Sequence, residues 1–272
     1  MGRASIPLSA QAPGTSTADS THALPADVGQ RRSARRRRQY LPSQHGAWAM
    51  LVVPYLIGVL CAGPAWPHLP LLVAWLGGYL LSYYVFLAVK TRRLSRVGPQ
   101  VLVYSAVTVP AALLVVVVRP ELLAFAPLYA VLLAVNAAYA WRRSERALLN
   151  DLASVVQGAL MVPVAAAAAG VAPAAALAPF VVVLLYFAGT VLYVKTMIRE
   201  RDDPRYLRGS IAYHAAAGVA AGVIAWPLAA PFGWFLVRAA WLPRRNLTPK
   251  RVGMIEIANC VVLLVMVPLV TS

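Results

Sequence analysis

The basic residues of this chain fall in islands between long apolar stretches, and that arrangement limits the fold more than any single motif does. The apolar stretches lie at about 47–63, 70–89, 99–118, 122–141, 148–170, 174–194, 210–225, 228–242 and 253–271. A helix needs about 20 apolar residues to cross about 30 Å of hydrocarbon. Lys90, Arg92, Arg93 and Arg96 follow the second stretch, and Arg142, Arg143 and Arg146 follow the fourth. Lys195, Arg199, Arg201, Arg205 and Arg208 follow the sixth, and Arg244, Arg245, Lys250 and Arg251 follow the eighth. With seven arginines before Trp48, these islands hold 23 of the 25 basic residues. Only Arg119 falls in an opposite-side loop, while Arg238 lies inside the eighth stretch.

Basic residues collect in the cytoplasmic loops of multispan proteins. The alternation therefore predicts an all-α, polytopic membrane bundle of about nine transmembrane helices. It places the N-terminus in the cytoplasm and the C-terminus outside. The opposite-side connections are short, as in Gly63-Pro64-Ala65-Trp66-Pro67. Chemistry is thus expected within the bilayer or at its cytoplasmic face.

Only 12% of the residues are charged, against about 25% in soluble domains. The net charge of +16 raises the question of nucleic acid. No segment offers a folded basic face with recognition elements, so nucleic acid is not an expected partner. Membrane lipids are. Residues 1–39 end in Arg35-Arg36-Arg37-Arg38 and lack the apolar core of a signal peptide, which predicts a disordered basic tail. Its arginines suit anionic lipid heads. Residues 40–272 form the expected membrane domain. Cys61 and Cys260 read as small buried hydrophobes.

Nine acidic residues are few enough to weigh singly. The densest constellation runs from Tyr193 through Lys195, Arg199, Glu200 and Arg201 to Asp202 and Asp203. Lys195 and Arg199, at i and i+4, would share a helix face. With carboxylates just beyond, they suit a Mg²⁺–diphosphate ligand. A self-neutralising interfacial loop fits the same spacing. Asn150, Asp151 and Gln157 open the fifth stretch, where a carboxylate entering the membrane marks a site or favours a helix N-terminus. Gln44 and His45 precede Trp48, as head-group ligands or as interfacial polar groups. Arg238, Glu256 and His214 stand out by depth: Arg238 either snorkels to the cytoplasmic side or pairs internally, with Glu256 as the natural candidate partner, and His214 is placed to face the same cavity, a structural role being the alternative for each.

The segment Gln44-His45-Gly46-Ala47-Trp48-Ala49-Met50, followed by Val53-Pro54-Tyr55-Leu56-Ile57-Gly58, closely resembles the YwiC-like family of bacterial membrane proteins. The layout is also similar to the UbiA superfamily of intramembrane prenyltransferases. That resemblance implies nine helices, a Mg²⁺ cofactor and an isoprenoid diphosphate substrate held by two Asp-rich motifs. The loop from Thr91 to Gly98 resembles the one after the first motif, and residues 186–203 resemble the region of the second. Where the first motif belongs, Leu81-Ser82-Tyr83-Tyr84-Val85-Phe86-Leu87-Ala88-Val89-Lys90 contains no acid. The resemblance then implies Asp202 and Asp203 on the metal, with Glu200 beside them. Arg92, Arg93, Lys195 and Arg199 would steady phosphate, and Tyr193 or Asp151 would position the acceptor. A transporter or a non-catalytic assembly factor is the other expectation.

Overall fold

An α-helix satisfies its backbone hydrogen bonds internally, which makes it the open-chain solution in hydrocarbon, and apolar side chains all round suit it to that setting. The computed structural model describes residues 40, 45–245 and 247–271, without the side chains of His45 and Gly46. The chain divides into residues 1–41 and 42–272, and the expected tail lies outside the described residues.

Among the described residues every regular element is helical. They are α1 (His45–Ala62), α2 (His68–Thr91), α3 (Gly98–Val118), α4 (Ala126–Trp141), α5 (Leu148–Ala159), α6 (Met161–Ala168), α7 (Leu177–Ile198), α8 (Pro204–Ile224), α9 (Ala229–Trp241) and α10 (Pro249–Thr271). Counting α5 and α6 as one interrupted crossing, each apolar stretch coincides with one helix. Among the described residues six are long and apolar enough to span a bilayer: those built on α2, α3, α4, α5–α6, α7 and α10. The outer faces are what a membrane requires. Leu102 is 72% exposed and Val117 78%, within a helix whose surface is almost wholly apolar. Patches of that size on a soluble monomer would drive association.

The α5–α6 crossing is the most buried, with 72% of its window inside the bundle. Pro163 has no N–H to donate to Ala159 and its ring crowds that carbonyl, which accounts for the interruption at Leu160. The first helix runs against both halves. Two glycines permit the approach: a Cβ on Gly58 would lie 2.6 Å from Val162 O, and one on Gly158 2.7 Å from Met50 O. Helix α2 packs most extensively on α3.

The basic islands that follow α2, α4 and α7 share one end. Lys90, closing α2, pairs with Glu145 between α4 and α5 at 2.7 Å. The Arg92 guanidinium lies 4.6 Å from the Trp141 ring centre. Lys195, near the end of α7, donates to Arg146 O at 2.7 Å. We refer to this as the basic end.

Candidate functional site: a buried ionic cluster between α7, α8, α9 and α10

Arg238 is fully buried, three residues from the end of α9. Helix side chains tilt toward the N-terminus, so Arg238 points away from the basic end and into the bundle. Glu256 lies on α10, which begins at that end, and tilts back toward it. The two meet: Arg238 Nη1 donates to Glu256 Oε1 in a buried ion pair. At 1.5 Å per residue Glu256 is about 10 Å below the start of its helix.

Neutral donors hold the rest of the carboxylate. Thr190 Oγ1 donates to Glu256 Oε2 at 3.0 Å, and Tyr186 OH donates to the same atom at 3.4 Å. Asn259 Nδ2 donates to Oε1 at 3.4 Å and is itself oriented by Trp234 Nε1 at 3.1 Å. Cys260 Sγ lies 3.6 Å from Tyr186 OH. The guanidinium sits 4.3 Å from the Tyr193 ring centre and 5.3 Å from that of Phe235. His214 completes the group from α8. Its Nδ1 lies 2.7 Å from Ser210 O, a carbonyl that only accepts, so Nδ1 carries the hydrogen. Its Nε2 presents a lone pair to Arg238 Nη2 at 3.5 Å.

The cluster has spare polar capacity. Arg238 Nε, Tyr193 OH and Ser210 Oγ are buried without a hydrogen-bond partner among the described residues, as is Tyr206 OH. Such atoms are rare and costly in native interiors. Tyr206, Ser210 and His214 are spaced i, i+4, i+8 on one face of α8, leading inward from its start. Beyond His214, a groove of about 390 Å³ runs between α8 and α9, lined by Gly218, Gly222, Phe232 and Gly233.

A second ion pair joins two clusters singled out in the sequence. Lys195 Nζ lies 2.8 Å from Asp151 Oδ2, with Lys195 buried and Asp151 partly so. Asn150 accepts from Asn136 at 2.8 Å and donates to Glu145 O at 2.7 Å, bracing the α4–α5 connection. Lys195 is buried, while Arg199, one turn on at the cap of α7, is exposed.

The loop acids do not gather. Asp203 caps α8, accepting from Arg205 N at 2.8 Å and Tyr206 N at 3.4 Å, ahead of Pro204 at the first helical position. Asp202 is exposed and Glu200 is half-buried. Among the described residues no three His, Cys, Asp or Glu side chains are close enough to hold a metal. Arg92 and Arg93 lie exposed beyond α2. Gln44 and the His45 side chain lie outside the described residues.

Outside the membrane-spanning segments, burial alone would raise the Glu145 carboxyl. The Lys90 hydrogen bond and charge, with Arg146, outweigh it and hold the group below its usual value.

Residues 41–166, covering α1 to most of α6, match the family model described as YwiC-like protein. A protein of Haemophilus influenzae described as uncharacterized is 32% identical over 241 residues, covering 85% of this chain and 98% of its own. One from Bacillus subtilis, described as uncharacterized protein YwiC, is 32% identical over 244 residues with the same coverage. No solved structure matches.

Proposed function

This chain belongs to the YwiC-like protein family, and we propose that it binds the anionic head of a prenyl or lipid diphosphate between α7, α8, α9 and α10. In this reading it is a multi-pass inner-membrane protein with a UbiA-like bundle, and the basic end faces the cytoplasm. One observation carries the proposal: among the described residues a fully buried Arg238 keeps an unpartnered Nε–H, its guanidinium lies over the Tyr193 ring, and the Tyr193 hydroxyl is itself unpartnered. A guanidinium suits phosphate oxygens because its planar fork donates two parallel hydrogen bonds. The groove that begins at His214 supports an amphiphile, giving the apolar chain a place beside the head.

The acids after α7 have no part in this reading, since Asp203 serves its helix cap. Prenyl transfer is the activity the resemblance favours. Binding is the step that the cluster supports directly. Transport is the second reading, favoured by an ion pair held deep between helices, where ionisable residues commonly line a pathway.

The test is equilibrium binding of geranylgeranyl diphosphate to the purified protein in nanodiscs, with and without Mg²⁺. Three proteins are compared: the unaltered chain, Asp202→Ala/Asp203→Ala, and Arg238→Met/Glu256→Met. Removing both members of the pair avoids leaving a buried charge unpaired. Binding retained by the first double variant and lost by the second, with helicity unchanged, is expected. Binding that needs Mg²⁺ and fails in Asp202→Ala/Asp203→Ala would return the site to the loop.

A further inference from the structure

Arg238 has a free edge, and that edge faces α8. Glu256 Oε1 holds Nη1, which leaves the parallel fork of Nε–H and Nη2. Nη2 lies 3.5 Å from His214 Nε2, and Nε is buried without a partner among the described residues. Nη2 carries two hydrogens, so it can serve His214 and one oxygen of a head together. A phosphate seated on this fork has α8 beside it, and Glu256 keeps its place.

Ser210 stands one turn from His214 on the same face of α8, on the side nearer the basic end. It is fully buried. A serine inside a helix commonly turns its hydroxyl to the carbonyl one turn back, yet Ser210 Oγ has no partner among the described residues. Helix α7 brings a second hydroxyl to the same level. A Cβ on Gly189 would lie 3.0 Å from His214 Nε2, so Gly189 and His214 stand opposite each other. The two helices run antiparallel, and one turn toward the basic end Tyr193 therefore stands level with Ser210. The Tyr193 hydroxyl is likewise buried and unpartnered among the described residues.

The apolar groove runs the other way, from His214 past Gly218 and Gly222. A chain lying in it, with its phosphate on the Arg238 fork, leaves the far end of the head directed at Ser210, about 6 Å nearer the basic end. Helix α8 begins at Pro204, so the positive end of its dipole lies on this side. Further out, Tyr206 stands in the field of Glu200 and Asp151, whose carboxylates oppose a longer anionic head. Two buried hydroxyls without partners cost the fold stability unless phosphate oxygens accept from them.

Resting on the anion-binding reading, we infer that the Ser210 and Tyr193 hydroxyls form a second phosphate subsite. It takes the terminal phosphate of a diphosphate head, while the Arg238 fork takes the phosphate that bears the apolar chain. Ser210 and Tyr193 are thus the residues by which the site selects a diphosphate amphiphile over a monophosphate. The bound chain points away from the basic end.

The experiment compares equilibrium binding of geranylgeranyl diphosphate and geranylgeranyl monophosphate to the purified protein in phosphatidylcholine nanodiscs, without Mg²⁺. The unaltered chain is expected to prefer the diphosphate about a hundredfold. Ser210→Ala and Tyr193→Phe, which keeps the ring on the guanidinium, are each expected to cut that preference about tenfold. Ser210→Ala/Tyr193→Phe is expected to abolish it. A structural serine and a ligand-binding one also differ without ligand. Removing an unpartnered buried hydroxyl should leave the unfolding midpoint of Ser210→Ala equal to that of the unaltered chain or higher. A lower midpoint would give Ser210 a structural role and overturn its assignment. Equal affinity of the unaltered chain for the two ligands would overturn the subsite and leave the Arg238 anion site standing. A preference undiminished in the double variant would place the terminal phosphate elsewhere. Binding of neither ligand by the folded, unaltered chain would overturn both the subsite and the reading it rests on.

Discussion

Lys195 Nζ lies 2.8 Å from Asp151 Oδ2, fastening the end of α7 to the start of the interrupted α5–α6 crossing. The same ammonium donates to Arg146 O at 2.7 Å, so one side chain closes two connections at the basic end. Lys195 is 7% exposed, which makes its partner hard to replace with water.

Asp151→Asn should therefore destabilise the protein by about 3 kcal/mol, the low end for breaking a buried pair, because Asp151 is itself partly exposed. Lys195→Met/Asp151→Leu should recover most of that loss. Unfolding midpoints in detergent check both, and equal midpoints for Asp151→Asn and the unaltered chain would contradict the pairing.

The contact of α1 with α5 and α6 depends on two missing methyl groups. Gly58→Ala and Gly158→Ala each drive a Cβ against backbone oxygen, at 2.6 Å from Val162 O and 2.7 Å from Met50 O. Overpacking of that kind costs about 1–3 kcal/mol. Gly98→Ala meets nothing within 4 Å and is the control. The first two should lower the unfolding midpoint and the third should leave it near that of the unaltered chain.

Glu145 is held below its ordinary value despite partial burial, chiefly by the hydrogen bond from Lys90. A carboxylate depressed on folding adds stability above its unfolded pKa. That contribution fades as pH falls through the lower folded value. Lys90→Met should raise the Glu145 titration toward 4.5, followed by carboxyl ¹³C shifts. An unmoved titration would show that the 2.7 Å pair does not set it.

Helix number and register were readable in advance because charge is excluded from hydrocarbon, so the basic islands bracket each crossing. Arg238, Glu256 and His214 were conspicuous for the same reason, and Arg238 and Glu256 do meet. Thr190, Tyr186, Asn259 and Trp234 left no comparable mark. An all-round apolar helix does not fix its own rotation, and which neutral polar side chain faces inward depends on packing with neighbours. The hydroxyls of Tyr193 and Ser210, unpartnered among the described residues, are invisible to spacing for that reason. Asp203 carried a local signal: an Asp before Pro204 reads as a helix cap. Lys195 is buried by its contacts with Asp151 and Arg146 O, which the sequence does not show.

Contact between a ligand phosphate and the Arg238 guanidinium can be measured directly. Dipolar recoupling between ³¹P of bound geranylgeranyl diphosphate and ¹⁵N-labelled arginine side chains, in proteoliposomes, reports such proximity. Strong dephasing in the unaltered chain that vanishes in Arg238→Met/Glu256→Met is the predicted result. Bound ligand whose phosphorus sees no arginine nitrogen, or sees the same arginines after Arg238 is removed, would contradict it.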